Sequence, residues 1–463
     1  LAGGLVFALF VALTLAGISE PVGNLVRDVM LTTISPYDDP PDNVVVVAID
    51  EATLKRFPYR SPVDRAFLAS LVERIGAAQP AAIGIDLLFD QPTEPDKDAL
   101  LEKALSPAPA PTTLASAWAS DALTQDQLAW LAAFAPEAGR GLAALSLDPL
   151  DGVVRGAFPG REKDGQWQPS LAAAMAATAG IDAPRHAEEM VYYRTSSASP
   201  WRIPVYPASA AMVAPPAWFA GKFILIGVDL PLEDRHPTPF VAVNGVAAGT
   251  LPGVVIHAHS LARLLKGDRV VIPGHGAAMA LSVLFGSLGA WVAWRQMSVV
   301  AKPLAILAVP TLLWASALIL FSRTGILLPL VGPTILVTAV AIFVAFFAWR
   351  RDQEGRRFLK RAFSQYVSPA VVDAIVGDPG QLRLGGERRR LTCVFTDLEG
   401  FTSVSEAMRP ELLAEVLNTY LDRMCDPFVE HGATIDKVIG DAVVGFFGAP
   451  ANQEDQEQRA VAL

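Results

Sequence analysis

The residues NVVVVAID (43–50) and AAIGIDLLF (81–89) decide the fold of the N-terminal half of the chain. Both are continuous apolar runs rich in β-branched residues, which is typical of parallel strands buried on both faces. Between them, a helix is expected to begin with Ser61 as its N-cap and to end at Gly76. Its apolar residues repeat at helical spacing: Phe67, Leu68, Leu71, Val72 and Ile75. This order predicts a βαβ unit with two paired strands, and hence an α/β domain.

Acidic residues lie at or just after the carboxyl ends of these two strands: Asp50, Glu51, Asp86 and Asp90. Ligands of open parallel sheets bind at that edge, so Asp50 and Asp86 could line a pocket. Acids at strand ends also cap helices or accept hydrogen bonds from loop N–H groups, and we favour that role for both. FILIGV (223–228) is predicted as a further core strand of the same domain.

Other polar residues of this region are weaker candidates for a site. His257 and His259 could ligate a metal, but on a helix they would point in different directions, so a surface or hydrogen-bonding role is favoured. Arg155, Asp234 and His236 could form a buried polar cluster, to which we assign no function.

Four charge-free runs predict membrane-spanning helices, because each is about as long as the ~20 residues that cross a bilayer. They are residues 1–19, 274–294, 303–322 and 324–349. The first run is predicted as an N-terminal transmembrane helix, with a signal peptide as the alternative. The last three, within 274–349, are separated only by residues 295–302 and by Arg323, which predicts three closely packed helices.

Basic residues predict the orientation in the membrane. Positions 350–361 hold six Lys or Arg and two acids, which places them in the cytoplasm by the positive-inside rule. We therefore expect a multi-pass protein of the plasma (inner) membrane, with an extracytoplasmic domain at 20–273 and a cytoplasmic linker helix within 350–387. This linker contains an apolar stripe made of Phe358, Ala362, Phe363 and Tyr366. The stripe could pair with a second copy of the chain, or the helix could lie on the membrane.

The composition agrees with this assignment and excludes other classes. The chain is 52% apolar and 18% charged, which is more apolar than a typical soluble protein. Its net charge of −10 leaves no basic excess to hold a phosphate backbone, so no nucleic-acid partner is expected. The two cysteines, Cys393 and Cys425, are too few for a disulfide framework or a zinc site.

The extracytoplasmic segment resembles a known family of sensors. The motifs that carry the resemblance are VVVVAIDEATL, IGIDLLFD, DGVVRGAFP (151–159), FILIGVDLPLEDRHPTP (223–239) and LPGVVIHAHSLARLL (251–265), followed by three spans. They are similar to the second family of CHASE sensors, which are joined to bacterial cyclases, histidine kinases and protein kinases. The resemblance implies reception of an extracytoplasmic stimulus and does not name it.

A new pattern begins at residue 388. LTCVFT (391–396) is predicted as a strand that ends at Asp397, and a turn then leads into a helix start, where backbone N–H groups can bind phosphate. An amphipathic helix is predicted over 410–429, and residues 433–449 predict a hairpin with Asp441 at its tip. The strand end and the hairpin tip could bring two carboxylates together, a pair that Mg²⁺ can bind together with substrate phosphates.

CVFTDLEGFTSVSE, IDKVIGDAVVGFFG, the preceding LGGERR and the following DQEQRAVAL resemble the catalytic domain of class III nucleotide cyclases. The resemblance implies a ferredoxin-like α+β fold, of which residues 388–463 would be the N-terminal half. It implies that Asp397, Asp441 and the Leu398 carbonyl bind two Mg²⁺, with Mn²⁺ as a possible substitute. It further implies that a short turn binds the phosphates and that Lys437 reads the purine; the turn residues are Gly400, Phe401, Thr402 and Ser403.

These observations together predict a multidomain receptor adenylate cyclase that converts ATP to cyclic AMP and pyrophosphate. The resemblance implies a homodimer, formed through the cyclase domain and the linker helix, whose sites need residues that would follow Leu463. A guanylate cyclase and a receptor with a non-catalytic cyclase domain remain as alternatives. A diguanylate cyclase is disfavoured because the hairpin reads IGDAV and not GGDEF.

Overall fold

The structure is a computed structural model that describes residues 20–37, 39–106, 108–118, 123–163, 165–193, 203–298, 300–363, 388–449 and 452–463. The chain forms two compact units, residues 1–342 and 343–463. The predicted N-terminal span and residues 364–387 of the predicted linker helix lie outside the described residues.

The first unit alternates strands and helices along the chain. Its strands are β1 Val44–Asp50, β2 Ala82–Asp86, β3 Thr112–Ser116, β4 Gly139–Leu142, β5 Ser146–Leu147, β6 Val154–Ala157, β7 Gly160–Lys163, β8 Gln166–Pro169, β9 Glu188–Glu189, β10 Val205–Pro207, β11 Phe223–Asp229, β12 Arg235–Pro237 and β13 Thr250–Pro252. Its extramembrane helices are α1 Glu20–Thr33, α2 Glu51–Leu54, α3 Arg65–Gly76, α4 Pro95–Leu105, α5 Gln125–Ala133, α6 Leu171–Ala177, α7 Ala208–Ala211, α8 Val241–Gly249 and α9 Gly253–Lys266.

Six of the described strands form one parallel sheet in the order β10-β1-β11-β2-β3-β4. Alternate residues of β1 face opposite sides, as the strand period requires. Val44 and Val46 pack with α6 and α9, whereas Val45 and Val47 pack with α3, α4 and α7. All four valines are fully buried, so the predicted α/β domain with a sheet covered on both faces is confirmed.

Two details of the predicted βαβ unit are wrong. β1 and β2 do not pair, because β11 lies between them and bonds to both: Leu225 is opposite Val46 on one side and Gly84 on the other. Helix α3 begins after Asp64 and not after Ser61. The Asp64 carboxylate accepts a hydrogen bond from the Phe67 N–H at 2.9 Å and forms an ion pair with the Lys97 ammonium group at 2.7 Å.

Three helices of the described chain are long and apolar enough to cross a membrane: α10 His275–Trp294, α11 Ala301–Thr324 and α12 Val331–Phe363. The apolar part of the third is Val331–Arg351. The Trp314 indole N–H donates to the Thr334 hydroxyl at 2.9 Å and so joins α11 to α12. The link between these helices is residues 325–330 and not Arg323 alone, because Gly325, with a φ of 72°, ends α11.

The second unit contains a small antiparallel sheet with helices. Its elements after α12 are β14 Thr392–Phe395, α13 Phe401–Ala407, α14 Pro410–Glu430, β15 Thr434–Ile439, β16 Ala442–Phe447 and α15 Gln456–Ala462. The described strands of this sheet lie in the order β14-β16-β15. Phe428 of α14 packs on this sheet with Ile435, Val443 and Phe447. Gly445 lies directly under Phe428, where a Cβ would approach the ring to 2.5 Å. The predicted strand, amphipathic helix and hairpin are all present.

Candidate functional site

The end of β14 and the tip of the β15–β16 hairpin meet at one edge of the small sheet. Thr396, which follows β14, is bonded to Val443 of β16: its N–H donates to the Val443 carbonyl at 3.1 Å, and its hydroxyl accepts from the Val443 N–H at 3.2 Å. Asp397 follows Thr396, and Asp441 precedes β16. Antiparallel pairing of these two strands therefore brings both acids to the same edge, as the sequence predicted.

The turn after Asp397 is held by the other acid. The Leu398 N–H donates to Oδ2 of Asp441 at 3.1 Å. The Leu398 carbonyl accepts the Phe401 N–H at 3.3 Å, which closes the turn. Gly400 has a φ of 79°, a left-handed conformation in which glycine is favoured. The Ser403 N–H donates to the Gly400 carbonyl at 3.1 Å. A phosphate bound at this turn would therefore share or replace the hydrogen bonds of Phe401 and Ser403.

The acids offer part of a metal site. Asp397 is exposed and Asp441 is half-buried, so both carboxylates can be reached from solvent. No group of three or more His, Cys, Asp or Glu residues able to hold a metal exists among the described residues. An ion held here would take its remaining ligands from backbone carbonyls, water and substrate oxygens. Mg²⁺ accepts that mixture, so the residues present fit it.

Tyr420 of α14 is a neighbour of the two acids and was not among the predicted site residues. Its own burial, followed by the charges of Asp441 and Asp397, raises the pKa of its hydroxyl, and a hydrogen bond with Thr396 opposes this rise. Tyr420 lies within the amphipathic helix predicted over 410–429. A tyrosine among leucines at helical spacing is the one signal that could have singled it out, since its hydroxyl needs a polar partner when buried.

Lys437 lies on β15, four residues before Asp441. Its side chain is 60% exposed, and its ammonium group is 3.3 Å from the carboxylate of the neighbouring Asp436. This exposure agrees with a side chain that reaches a ligand or a second subunit, and equally with a solvated surface lysine. Its proposed role in reading the purine stays a prediction.

In the first unit, Asp50 and Asp86 have different environments. Asp50 caps α2, since its carboxylate accepts the Thr53 N–H at 2.8 Å and the Thr53 hydroxyl at 2.7 Å. Asp86 is nearly buried, 3.9 Å from Nε2 of His257. Burial raises the pKa of the Asp86 carboxyl, and His257 opposes that rise. Capping was therefore the correct interpretation for Asp50.

The histidines of α9 are not at the surface, contrary to one of the roles favoured for them. Both are buried, because α9 packs its full length against the central sheet. His259 is fully buried, and its Nδ1 accepts the Tyr193 N–H at 3.3 Å, so the hydrogen-bonding role is confirmed for this residue. Its burial lowers the pKa of the ring to about 3.

The predicted cluster of Arg155, Asp234 and His236 is wrong. Arg155 is bound instead to acids of α1 and of the β5–β6 connection. It makes a two-bond contact to Asp28 at 2.7 Å and ion pairs to Asp148 at 2.9 Å and Asp151 at 2.7 Å. Within the predicted cluster, the structure shows one contact, between His236 and Asp234 at 3.0 Å. A buried arginine on β6 thus fixes helix α1 to the α/β domain.

A match to a family model shows the family of the parallel sheet and its flanking helices. Residues 5–294 match the CHASE2 domain profile, which covers more than half of the chain. The chain belongs to the CHASE2 domain family. Its predicted resemblance to this class of sensor is therefore confirmed, and the CHASE2 match extends through α10.

Curated relatives of this CHASE2 protein include nucleotide cyclases. An adenylate cyclase of Anabaena cylindrica is 38% identical over 111 residues, which are 24% of this chain and 21% of the relative. The terminal-differentiation specific adenylate cyclase of Dictyostelium discoideum is 30% identical over 92 residues, 20% of this chain and 4% of the relative. The chain thus spans about a fifth of the length of the Anabaena relative and 4% of the length of the Dictyostelium relative.

A solved structure is also similar in sequence to the CHASE2 protein. The crystal structure of the guanylyl cyclase Cya2 is 48% identical in a match that covers 17% of this chain and 40% of that chain. The TM-score of 0.17 gives no support to a shared overall fold. The predicted resemblance to nucleotide cyclases is confirmed by the two relatives named adenylate cyclase.

Proposed function

We propose that this chain belongs to a membrane-bound receptor adenylate cyclase, which converts ATP to 3′,5′-cyclic AMP and pyrophosphate. The observation that carries the proposal is the hydrogen bond from Leu398 N–H to Asp441, which fixes the hairpin acid beside the turn that follows Asp397. Two carboxylates at one sheet edge repel one another unless a cation lies between them. Relatives named adenylate cyclase in two organisms support the same class of activity.

In this proposal Asp397 and Asp441 hold two Mg²⁺ ions, with Mn²⁺ as a possible substitute, and the Leu398 carbonyl is a further ligand. Bound metal lowers the pKa of the ribose 3′-hydroxyl and neutralises charge on the triphosphate. The backbone from Gly400 to Ser403 orients the phosphates. The 3′-hydroxyl would give its proton to water and its oxygen would bond to the α-phosphorus, while the bond from that phosphorus to the pyrophosphate oxygen would break and release pyrophosphate.

Lys437 is proposed to select the base. An ammonium group has only donors, and adenine presents a bare N1 acceptor on its pairing edge, whereas guanine presents an N1–H donor. A donor left unpaired when buried costs ~1–3 kcal/mol, which corresponds to about 5–150-fold in discrimination. The exposure of Lys437 leaves its ammonium group accessible to a base carried by a ligand at the site.

The assembly and topology are proposed from the same resemblance and from charge. The metal-binding acids of one subunit would face the base-reading residues of a second subunit, so that a homodimer forms two sites. The cyclase unit and the linker helix would supply the dimer contacts in the cytoplasm. The CHASE2 domain would lie outside the plasma membrane, where it receives a stimulus that the sequence does not name.

The similarity to the guanylyl cyclase Cya2 favours guanylate cyclase as the second candidate function. A third possibility, a regulatory receptor whose cyclase unit is not catalytic, is weakened because both acids are present at the sheet edge.

The deciding experiment measures cyclic AMP and cyclic GMP made by the full-length protein in membrane vesicles, with equal ATP and GTP and with Mg²⁺ or Mn²⁺. We expect cyclic AMP to dominate, and Lys437→Glu to reduce the preference for ATP by about tenfold. The matched control is Asp436→Asn, which alters the neighbour of Lys437 on β15 and should keep the ATP preference.

Three outcomes would contradict parts of the proposal. Cyclic GMP as the main product would favour the guanylate cyclase. No cyclic nucleotide from a folded protein would favour the regulatory receptor. An unchanged ATP preference in Lys437→Glu would remove the role proposed for that residue.

A further inference from the structure

Three segments of the chain meet where the α/β domain adjoins the long apolar helices. The first follows α1 and contains Tyr37, the second joins α9 to α10, and the third is the link between α11 and α12, residues 325–330. The Tyr37 hydroxyl donates to the Arg269 carbonyl of the second segment at 2.7 Å. The segments before and after the α/β domain are therefore bonded to one another.

A short parallel bridge joins the second segment to the link. The Val271 N–H donates to the Gly325 carbonyl at 3.0 Å, and the Leu327 N–H donates to the Val271 carbonyl at 2.9 Å. Val271 is thereby paired with Ile326. Two successive membrane crossings return a chain to the side from which it started, and the bridge places the link on the side of the α/β domain.

Gly325 allows the link to approach this closely. Its φ is 72°, a left-handed conformation in which glycine is favoured. A Cβ at this position would lie 2.6 Å from the Tyr37 hydroxyl and 2.8 Å from the Arg269 carbonyl oxygen. Any larger residue would therefore push the link away from the first two segments.

The α/β domain holds its side of this contact in two ways. The hydroxyl of the buried Tyr193 donates to the Asp268 carboxylate at 3.0 Å, which fixes the chain just after α9. Val270, Phe321 and Leu327 are buried in the same apolar core as one face of the central sheet. One continuous core thus extends from the sheet to the end of α11 and the link.

We propose that Tyr37, residues 269–271 and residues 325–327 form a clasp that transmits a change in the α/β domain to α11 and α12. Without the clasp, the segment that leads into α10 would carry such a change alone. With it, a displacement of the chain after α9 also displaces the link, from which α11 and α12 extend. That the clasp regulates cyclic nucleotide formation rests on the proposed function, whereas transmission to the link does not.

Amide hydrogen exchange of the full chain in lipid nanodiscs tests the clasp itself. The reporters are the Val271 and Leu327 N–H groups, which donate the two bonds of the bridge. In Gly325→Ala we expect both to exchange at least about tenfold faster, because the added Cβ opens the clasp. Gly180→Ala is the matched control: Gly180 has a φ of 75°, but a Cβ there would meet no atom of the described residues within 4 Å. It should leave both reporters unchanged.

A second pair of variants tests transmission from the α/β domain. Tyr193→Phe removes the bond to Asp268, and we expect the Leu327 N–H to exchange about threefold faster. Tyr192→Phe is the control, because the Tyr192 hydroxyl is also buried but donates to the Val154 carbonyl, at 2.7 Å. It should leave Leu327 at the wild-type rate. Wild-type exchange of the β1 amides in every variant would show that the sheet is folded.

Cyclic AMP formation by the same variants tests regulation. We expect the rate of Gly325→Ala at saturating ATP and Mg²⁺ to differ from that of the wild type by at least about threefold, and Gly180→Ala to keep the wild-type rate. If Gly325→Ala does not fold, Tyr37→Phe takes its place in both measurements, because it removes only the hydroxyl that bonds to Arg269.

The clasp is overturned if Gly325→Ala and Gly180→Ala have equal effects on the two reporters. Transmission is overturned if Tyr193→Phe leaves Leu327 at the wild-type rate, or if Tyr192→Phe accelerates it as much. An open clasp with wild-type cyclic AMP formation would overturn the regulatory role. A wild-type protein that makes no cyclic nucleotide would contradict the proposed function, and hydrogen exchange would still decide the clasp and its transmission.

Discussion

The backbone N–H of Leu398 donates a hydrogen bond to the carboxylate of Asp441 at 3.1 Å, across 43 residues of sequence. This contact does two things at once. It fixes the hairpin tip against the turn after β14, and it uses only one of the two oxygens of Asp441. The other oxygen remains available to a cation, so the same acid can support both the fold of the edge and the chemistry proposed for it.

The first prediction separates these two roles. Asp441→Asn keeps an acceptor oxygen for the Leu398 N–H but removes the charge, so the protein should fold and lose metal-dependent activity. Because metal ions supply several kcal/mol of transition-state stabilisation, we expect cyclic AMP formation to fall by about 10³-fold or more, and the same for Asp397→Asn. The measurement is turnover at saturating Mg²⁺ and Mn²⁺.

Glu399→Gln is the control for this pair, because Glu399 is an exposed acid in the same turn that we do not assign to the metal site. It should retain activity within a small factor. Turnover near that of the wild type in either aspartate variant would show that the two acids do not hold a catalytic metal.

The second prediction concerns Tyr420, whose hydroxyl lies near Thr396 and both acids. Tyr420→Phe removes a polar contact that helps to position the strand end, worth ~1 kcal/mol. We expect the Mg²⁺ concentration for half-maximal activity to rise about fivefold, with little change in thermal stability. Thr419→Val is the control, because within the described part of the chain the Thr419 hydroxyl bonds only to the Glu415 carbonyl of its own helix. Equal effects of the two substitutions would refute a positioning role for Tyr420.

The third prediction tests the homodimer. If each site combines acids of one subunit with Lys437 of the other, co-expression of Lys437→Ala and Asp397→Asn chains should give one intact site in each heterodimer. The mixed dimers should contribute about a quarter of the wild-type activity with ATP, since half of the dimers are mixed and each has one of two sites, and this contribution adds to the reduced activity of the Lys437→Ala homodimers. Failure of co-expressed variants to complement would indicate that one subunit contains the whole site.

The sequence was sufficient to predict three buried strands of the first unit and insufficient to predict which of them pair. The apolar runs of β1, β2 and β11 predicted three buried strands, because burial on both faces leaves a signal in each strand by itself. Their order did not follow, since any of the three could be central and strand order depends on crossovers between distant segments. The N-cap was misassigned for a similar reason: Asp64 is fixed by Lys97, 33 residues away.

Buried polar groups show the same limit. Arg155 pairs with Asp28 across 127 residues, and no local pattern marks either of them as a partner of the other. The acids at the edge of the second unit were predicted because the strand end and the hairpin tip are local features whose pairing is fixed by antiparallel geometry.

The fourth prediction concerns Arg155 of β6. Arg155 is 3% exposed and is bound to three acids, one of which is the buried Asp28. Arg155→Leu would leave the buried Asp28 carboxylate without its counter-charge, and breaking a buried ion pair in this way typically destabilises a protein by ~3–5 kcal/mol. The control is Arg60→Gln, which breaks the exposed pair with Glu51 and should cost at most ~1 kcal/mol. Denaturant midpoints of the protein in nanodiscs would measure both, and equal midpoints would contradict the role of Arg155.

The fifth prediction is a pH dependence that arises from His259. The ring is fully buried, and Nδ1 accepts the Tyr193 N–H, so the neutral ring is the form that the fold accommodates. Burial lowers its pKa to about 3, from an unfolded value near 6.5. Between these two values the unfolded chain binds a proton at this residue and the folded chain does not, so folding stability rises with pH.

The contribution of His259 is therefore complete above pH ~6.5 and decreases as the pH falls from there towards about 3, by ~1.4 kcal/mol for each unit. Asp86 acts in the opposite direction because its folded pKa is raised, so the test must be a difference between variants. His259→Asn should lose stability at pH 7 and show a shallower fall between pH 6.5 and 4.5, measured by denaturant midpoints.

The control for this difference is His186→Asn, because the His186 side chain is 75% exposed. This variant should follow the wild-type dependence on pH. A parallel fall of the wild type and His259→Asn over the same range would show that the ring is protonated in the folded domain, and that another group carries the acid sensitivity of the CHASE2 domain.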